Sequence, residues 1–201
     1  MNPLKLYDVI PNEGAIRERI LTSFRNRQTL RIPESTEAIP IVPRDWQVSA
    51  AAELLSRHDL IVITATGSGK SLSYLLALIT NPGKILLAIF PLLSLMTDQV
   101  GSASLCLVHS AFSRTLSNEM VEKVNAAKRV GIRACRITYS TMRDDPNLLR
   151  DIARGQYELV CASPEFVSPE NKQFSFLANS GQFRSNLFRI VIDEAHLCYI
   201  W

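Results

Sequence analysis

TGSGKS, at residues 66–71, is the stretch that decides the fold of this chain. It follows the apolar and largely β-branched run LIVIT, residues 60–64, which predicts a buried parallel strand. It opens the run KSLSYLLALI, residues 70–79, which predicts a buried helix. A strand, a glycine-rich turn and a helix in this order are the setting of a phosphate-binding loop. A glycine turn that precedes Lys-Ser by chance is the alternative, and the flanking strand and helix argue against it.

The residue types in this loop suit the binding of phosphate. Gly67 and Gly69 permit positive φ, which brings backbone N–H groups close to phosphate oxygens. The N-terminus of the following helix adds partial positive charge. We expect Lys70 to reach the β- and γ-phosphates and the hydroxyl of Ser71 to bind Mg²⁺. Thr64 stands where the usual G-x-x-x-x-G-K-[ST] pattern has its first glycine. The predicted ligands are therefore ATP and Mg²⁺.

An acidic motif, DEAH at residues 193–196, follows the apolar run FRIVI at residues 188–192. Carboxylates at the C-terminal end of a parallel strand face the crevice in which open α/β sheets bind ligands. Asp193 is predicted to hold Mg²⁺ through water, and Glu194 to orient and polarise an attacking water. His196 is expected to couple the nucleotide site to a nucleic-acid side. The phosphate-binding loop more than a hundred residues upstream strengthens the interpretation of this motif as a magnesium site.

Other apolar runs alternate with helical patterns along the chain. The predicted strands lie at residues 84–90, 133–138, 157–162 and 188–192, and the predicted helices at residues 12–28, 47–57, 91–99 and 146–154. Strands that alternate with helices predict an α/β fold with a parallel, doubly wound sheet.

With both motifs in place, the chain resembles the first RecA-like domain of a superfamily 2 helicase, specifically a RecQ-like DEAH-box DNA helicase. RDWQ, residues 44–47, is similar to that family's R-x-x-Q adenine-recognition motif. Residues 66–74 are similar to its T-G-G-G-K-S-L-C-Y, and residues 91–99, PLLSLMTDQ, to its P-L-I-S-L-M-K-D-Q. SPE, residues 163–165, stands where the family has A-P-E, and Trp201 where its aromatic-rich loop has tryptophan. The PLLSLMTDQ stretch discriminates most, since RNA helicases of this superfamily differ there.

The resemblance covers residues 44–201 and implies a RecA-like P-loop NTPase domain, with helices on both faces of its sheet and truncated after the DEAH strand. It implies that one set of residues binds ATP: Arg44, Gln47, Thr66, Gly67, Ser68, Gly69, Lys70 and Ser71. It implies a catalytic set and a metal-binding set: Lys70, Asp193, Glu194 and His196 for catalysis, and Ser71 and Asp193 for Mg²⁺.

The same resemblance implies an ATP-dependent 3′-to-5′ DNA helicase that acts in the nucleus, or in the cytoplasm of a bacterium. Its partners are single-stranded or partly duplex DNA and the second RecA-like domain of a full-length protein. The isolated chain, as a fragment, is predicted to be inactive. The alternatives are an RNA helicase of the same superfamily and a truncated, non-catalytic paralogue.

Two features depart from the family pattern or leave a choice open. Pro43 replaces the aromatic residue that usually precedes the motif arginine, and Trp46 lies beside Gln47 instead. Trp46 either stacks on adenine or packs under the following helix. The aromatic-rich loop, residues 197–201, lacks the usual Ser-Gln before its tryptophan.

The domain organisation is predicted to be a helical extension and linker at residues 1–43, followed by the ATP-binding domain at residues 44–201. The extension's helix carries a basic face, for which a solvated role is favoured over DNA contact: Arg17, Arg19, Arg25, Arg27 and Arg31. Residues 100–119 interrupt the family pattern after Gln99. This segment is hypothesised to be a retained intron translated in frame or a lineage-specific loop, and in either case to be poorly ordered or peripheral.

Composition limits the remaining classes. A net charge of +3 provides no strong basic field, so contact with DNA is inferred from motifs. No apolar run is long enough to span a bilayer. The four cysteines form no C-x-x-C pair, which favours reduced thiols over a zinc site.

Overall fold

A computed structural model describes residues 13–29, 41–65, 67–90, 120–193 and 195 of the chain. The chain divides into two compact units, residues 1–81 and residues 82–201. Among the described helices, none has the length and apolar character needed to cross a membrane.

The first unit is built from three described helices, α1 (Glu13–Thr29), α2 (Asp45–Leu55) and α3 (Lys70–Thr80), and each packs against the other two. Ile20 and Phe24, one turn apart on α1, are fully buried and form the apolar stripe that an amphipathic helix turns toward its core. All three predicted helices are confirmed, with ends that differ by no more than two residues.

Two arginines of the basic face hold α1 to its neighbours. The guanidinium of Arg17 donates to Ser49 Oγ at 2.7 Å and to Asp45 Oδ1 at 3.2 Å, both in the first turns of α2. Arg19 donates to the carbonyl of Thr80 at the end of α3, at 3.1 Å. A solvated role is the expectation for this face, and it is revised for Arg17 and Arg19, because these two side chains have partners within the chain.

The predicted strand at residues 60–64 is wrong. The segment is irregular, and Ile61 and Ile63 are 83% and 89% exposed. A strand needs a neighbouring strand to pair its backbone groups, and the described elements of this unit are all helices. The β-branched residues of the segment favour a strand only locally. Within the described part of this unit there is no partner strand, and without one this local preference does not produce a strand.

The second unit begins with strand β1 (Ile85–Ile89) and helix α4 (residues 120–129). The elements that follow in chain order are β2 (Ala134–Arg136), α5 (Tyr139–Asp144), α6 (Leu148–Ala153), β3 (Leu159–Ala162), α7 (Pro164–Val167), α8 (Lys172–Asn179), α9 (Gly181–Asn186) and β4 (Leu187–Ile192). The predicted strands of this unit and the helix at residues 146–154 are confirmed to within two residues at each end. The helix predicted at residues 91–99 and the segment 100–119 lie outside the described residues.

The four described strands form one parallel sheet in the order β2-β3-β1-β4. Leu87 of β1 lies opposite Val160 of β3 on one side and Ile190 of β4 on the other. This arrangement confirms the predicted parallel α/β architecture. Because the strands run in the same direction, the residues that follow β1, β3 and β4 leave the sheet at one edge.

One face of the sheet carries the main apolar core of this unit. Ile85, Leu87 and Ile89 of β1 alternate toward that face, as the twofold period of a strand requires. The helices on this face contribute Leu148, Ile152, Phe166, Leu177 and Phe183 to the same cluster. The other face carries Leu86, Ala88, Leu159 and Cys161, each 0% exposed. The sheet is thus buried on both faces along β1 and β3, which is typical of a parallel sheet.

Burial makes the thiol of Cys161 hard to ionise. It raises the pKa of Cys161 from the ordinary 9.0 to about 12; nearby Lys123 lowers this pKa and nearby Asp193 raises it. The folded chain therefore keeps this proton at a pH where the unfolded chain has lost it.

We predict that this thiol costs the chain stability in alkali. The stability that the neutral, buried thiol of Cys161 contributes to the folded chain is fully present below pH 9. It is lost as the pH rises toward about 12, the raised pKa of this thiol. The free energy of unfolding should fall by roughly 1.4 kcal/mol per pH unit in that window from this group alone. Urea unfolding of the wild type and of Cys161→Ala at pH 8.5 to 11 measures the effect. The variant should show the shallower decline with pH, and parallel declines would contradict the prediction.

Candidate functional site

The glycine-rich turn of the first unit has the backbone conformation that the sequence predicts. Gly67 and Gly69 have φ values of 74° and 85°, in the left-handed region that favours glycine. Gly69 is the N-cap of α3, and Lys70 is its first residue. Since glycine has no side chain, the N-cap position supplies no side-chain acceptor to the first turn of this helix.

Gln47, only 3% exposed, fastens this turn to the start of α2. Its Nε2 donates to the carbonyl of Gly69 at 2.9 Å and to that of Ser68 at 3.4 Å. Its Oε1 accepts from the backbone N–H of Arg44 at 2.8 Å. In a trans peptide the C=O and the N–H point in opposite directions. Holding the Gly69 carbonyl toward Gln47 therefore turns the N–H of Lys70 away from it.

Hydroxyl groups support the loop on either side. Ser68 Oγ is hydrogen-bonded to Thr64 Oγ1, and Ser73 Oγ donates to the carbonyl of Lys70 at 2.6 Å. Ser73 was not singled out by the sequence, although it stands where the resembling motif has cysteine. Lys70 and Ser71 lie half-buried at the start of α3, and Trp46 is half-buried on α2.

The two glycines differ in what a side chain would meet. A Cβ at Gly69 would lie 2.8 Å from Gln47 Nε2, whereas a Cβ at Gly67 would have nothing within 4 Å. Gly69 is therefore required both by its φ and by the close approach of Gln47. Gly67 is required by its φ alone.

We predict that Gly69→Ala destabilises the chain more than Gly67→Ala does. The Gly67→Ala variant should lose about 1 kcal/mol of unfolding free energy, the cost of a left-handed non-glycine residue. Gly69→Ala adds the displacement of Gln47 from a buried, hydrogen-bonded position, so its loss should reach about 2–3 kcal/mol. Urea unfolding followed by circular dichroism measures both. Equal losses would contradict the assigned role of the Gln47 contact.

The acidic motif begins where β4 ends, in the second unit. The backbone N–H of Asp193 donates to the carbonyl of Ile89 at 3.0 Å, which continues the β1–β4 ladder by one residue. Because Ile192 lies opposite Ile89, alternation places Asp193 on the face that carries Ala88 and Cys161.

The carboxylate of Asp193 is buried beside a lysine. The residue is 5% exposed, and Lys123 Nζ of α4 lies 3.0 Å from its Oδ2. A buried carboxylate is costly unless a positive charge or hydrogen bonds compensate it, so this contact neutralises the site. No local pattern in the sequence marks Lys123.

The structure groups the predicted site residues as far as it describes them. Arg44, Gln47, Ser68 and Gly69 are joined by hydrogen bonds around the glycine-rich turn. Thr66, Glu194 and His196 lie outside the described residues. Of the SPE stretch, Ser163 follows β3 as the N-cap of α7, with Pro164 in the first turn of that helix.

Comparison with known protein families identifies the family of this chain. The model of the family described as DEAD/DEAH box helicase matches residues 44–201. This chain belongs to that family. The match begins at the arginine of the predicted adenine-recognition motif and includes both the glycine-rich turn and the acidic motif.

The chain also matches long helicases over most of its length. It is 30% identical to the bifunctional 3′-5′ exonuclease/ATP-dependent helicase WRN of Mus musculus, over 79% of this chain and 9% of that protein. It is 31% identical to the ATP-dependent helicase SGS1 of Saccharomyces cerevisiae, over 79% of this chain and 10% of that protein. It is 29% identical to a putative ATP-dependent DNA helicase Q1 of Caenorhabditis elegans, over 79% of this chain and 21% of that protein. These relatives confirm the resemblance to RecQ-like helicases, and the chain spans a small part of each.

Proposed function

We propose that this chain binds ATP at its glycine-rich turn and serves as the ATP-binding domain of a DNA helicase. The observation that carries the proposal is the left-handed conformation of Gly67 and Gly69 in the turn that leads to Lys70, the first residue of an 11-residue helix. Membership of the DEAD/DEAH box helicase family supports it. Such a turn presents backbone N–H groups and a lysine to an anion, which is the chemistry that a triphosphate needs.

In this proposal each loop residue binds or supports the nucleotide. The backbone N–H groups of Gly67 to Ser71 donate hydrogen bonds to the phosphate oxygens, and the ammonium of Lys70 neutralises the terminal phosphates. Thr66 and Ser68 complete the loop. Arg44 and Gln47 recognise adenine, as the resemblance implies, and Gln47 also keeps the Gly69 carbonyl turned away from the phosphates.

The donor groups fit magnesium as well. Mg²⁺ prefers oxygen ligands, and Asp193 and Ser71 supply a carboxylate and a hydroxyl. The buried carboxylate of Asp193 already lies beside a cation, Lys123, so its surroundings suit positive charge. Bound Mg²⁺ would neutralise charge on the phosphate oxygens. Glu194 is proposed to orient the attacking water and to hold its proton, and His196 to couple hydrolysis to DNA.

We extend the proposal to the whole protein of which this chain is the first RecA-like domain. That protein would unwind DNA in the 3′-to-5′ direction in the nucleus, with single-stranded DNA held across this domain and a second RecA-like domain. Residues 1–43 are proposed to be an extension and residues 100–119 an insertion. The chain alone would bind ATP without unwinding DNA, because an arginine from the second domain is needed to stabilise the transferring phosphoryl group.

We predict that Lys70→Ala weakens the binding of ATP by roughly 10- to 100-fold, the loss expected for one charge-assisted hydrogen bond. Isothermal titration of the chain with a non-hydrolysable ATP analogue and Mg²⁺ measures this. Lys172→Ala is the matched control, since Lys172 is also the first residue of a helix, α8, and is exposed.

Unchanged binding in Lys70→Ala, or equal losses in both variants, would contradict the phosphate site.

Unwinding by the whole protein is tested with 3′-tailed and 5′-tailed duplexes of DNA and of RNA. Unwinding of the 3′-tailed DNA alone is expected. Preference for RNA, or for a 5′ tail, would overturn the assigned substrate or direction.

A further inference from the structure

The contact between Lys123 and Asp193 is not explained by any of the motifs. Its two partners come from α4 and from the end of β4, 70 residues apart in the chain. The ammonium lies 3.0 Å from the carboxylate, and the exposed fractions of the two side chains are 24% and 5%. The lysine thus has access to solvent, while the carboxylate has almost none.

The two partners differ in freedom of movement. The backbone of Asp193 is held by the hydrogen bond from its N–H to the carbonyl of Ile89, the last residue of β1. Lys123 carries its charge on a flexible four-carbon stem, and a stem of this kind readily moves its charged end into water. When another cation approaches the carboxylate, the lysine is therefore the partner that can withdraw.

The electrostatics of the site make such an exchange necessary. An ammonium in contact with Oδ2 occupies one of the directions from which that oxygen would receive a metal ion or a water bound to it. Two cations on one buried carboxylate also repel each other strongly in a medium of low dielectric constant.

We propose that Lys123 is the resident cation of Asp193: its ammonium holds the carboxylate in the absence of metal, and it must be displaced when a divalent cation binds. Lys123 therefore lowers the affinity of this site for the metal. It also preserves the fold around Asp193 while the metal is absent. The inference rests on the proposed role of Asp193 as a magnesium ligand. Lys123 is a positioning residue, because it acts on the carboxylate and not on the nucleotide.

The test measures metal binding, because a purely structural ion pair would leave it unchanged. Mn²⁺ replaces Mg²⁺ as the probe, and its binding to the full chain is followed by electron paramagnetic resonance with ADP present. The variant Lys123→Met removes the charge and keeps most of the length of the side chain. It should bind Mn²⁺ roughly tenfold more tightly than the wild type, a typical coupling between two competing ligands.

Three further variants complete the experiment. Lys128→Met, an exposed lysine on the same helix, should bind Mn²⁺ as the wild type does. Lys123→Arg keeps the charge and offers a fork that suits a carboxylate, so it should bind Mn²⁺ no more tightly than the wild type. It also keeps the proposal testable if Lys123→Met fails to fold. Asp193→Asn should lose the bound Mn²⁺.

The outcomes separate the two claims. If Asp193→Asn loses Mn²⁺ but Lys123→Met binds it no more tightly than the wild type, the role of Lys123 is overturned and the proposed function stands. Tighter binding by Lys123→Arg would overturn that role as well. If Asp193→Asn binds Mn²⁺ like the wild type, Asp193 is not the ligand, and the proposed magnesium site fails together with the inference.

Discussion

The backbone pairing of β1 with strands on both of its sides is the constraint on which the second unit depends. Every residue of β1 is buried, so its N–H and C=O groups must be paired with β3 and β4 rather than with water. The pairing continues past the strand, where Phe90 N–H donates to the carbonyl of Ala162 and the Ile89 carbonyl accepts from Asp193. The acidic motif thus begins at a point that the sheet itself determines, and a shift in register would move the carboxylate.

In the first unit the side chain of Gln47 positions the glycine-rich turn, as the strand pairing positions the acidic motif in the second. Gln47 connects the start of α2 to two carbonyls of the glycine-rich turn, and it is almost fully buried while doing so. A loop that is held before its ligand arrives loses less conformational entropy on binding than a loop that must become ordered. The left-handed glycines and the buried amide of Gln47 therefore act together: both hold the turn in a conformation that leaves the N-terminus of α3 ready to bind an anion.

Sequence patterns predicted most of this architecture because they act over short distances. The apolar stripe of α1, the buried runs of β1 and β3, and the glycines before Lys70 are each set by neighbours in the chain. The strand predicted at residues 60–64 was wrong because a strand exists only with a partner strand, which a local pattern does not reveal. The contact of Lys123 with Asp193 was missed for the same reason, since tertiary packing alone brings together residues so distant in the chain. For Gln47 the motif was recognised, but its bonds to the loop carbonyls were not predictable, because they depend on how α2 meets the turn.

The most direct test of the account is the response of individual backbone amides to nucleotide. Amide resonances of the chain are recorded by NMR before and after a non-hydrolysable ATP analogue and Mg²⁺ are added. The account predicts that Gly67, Gly69 and Lys70 shift strongly, while Gly83 and Gly155, which also have positive φ, shift little. If the glycine-rich turn shifts no more than these two control glycines, the turn does not bind the phosphates and the central claim is contradicted.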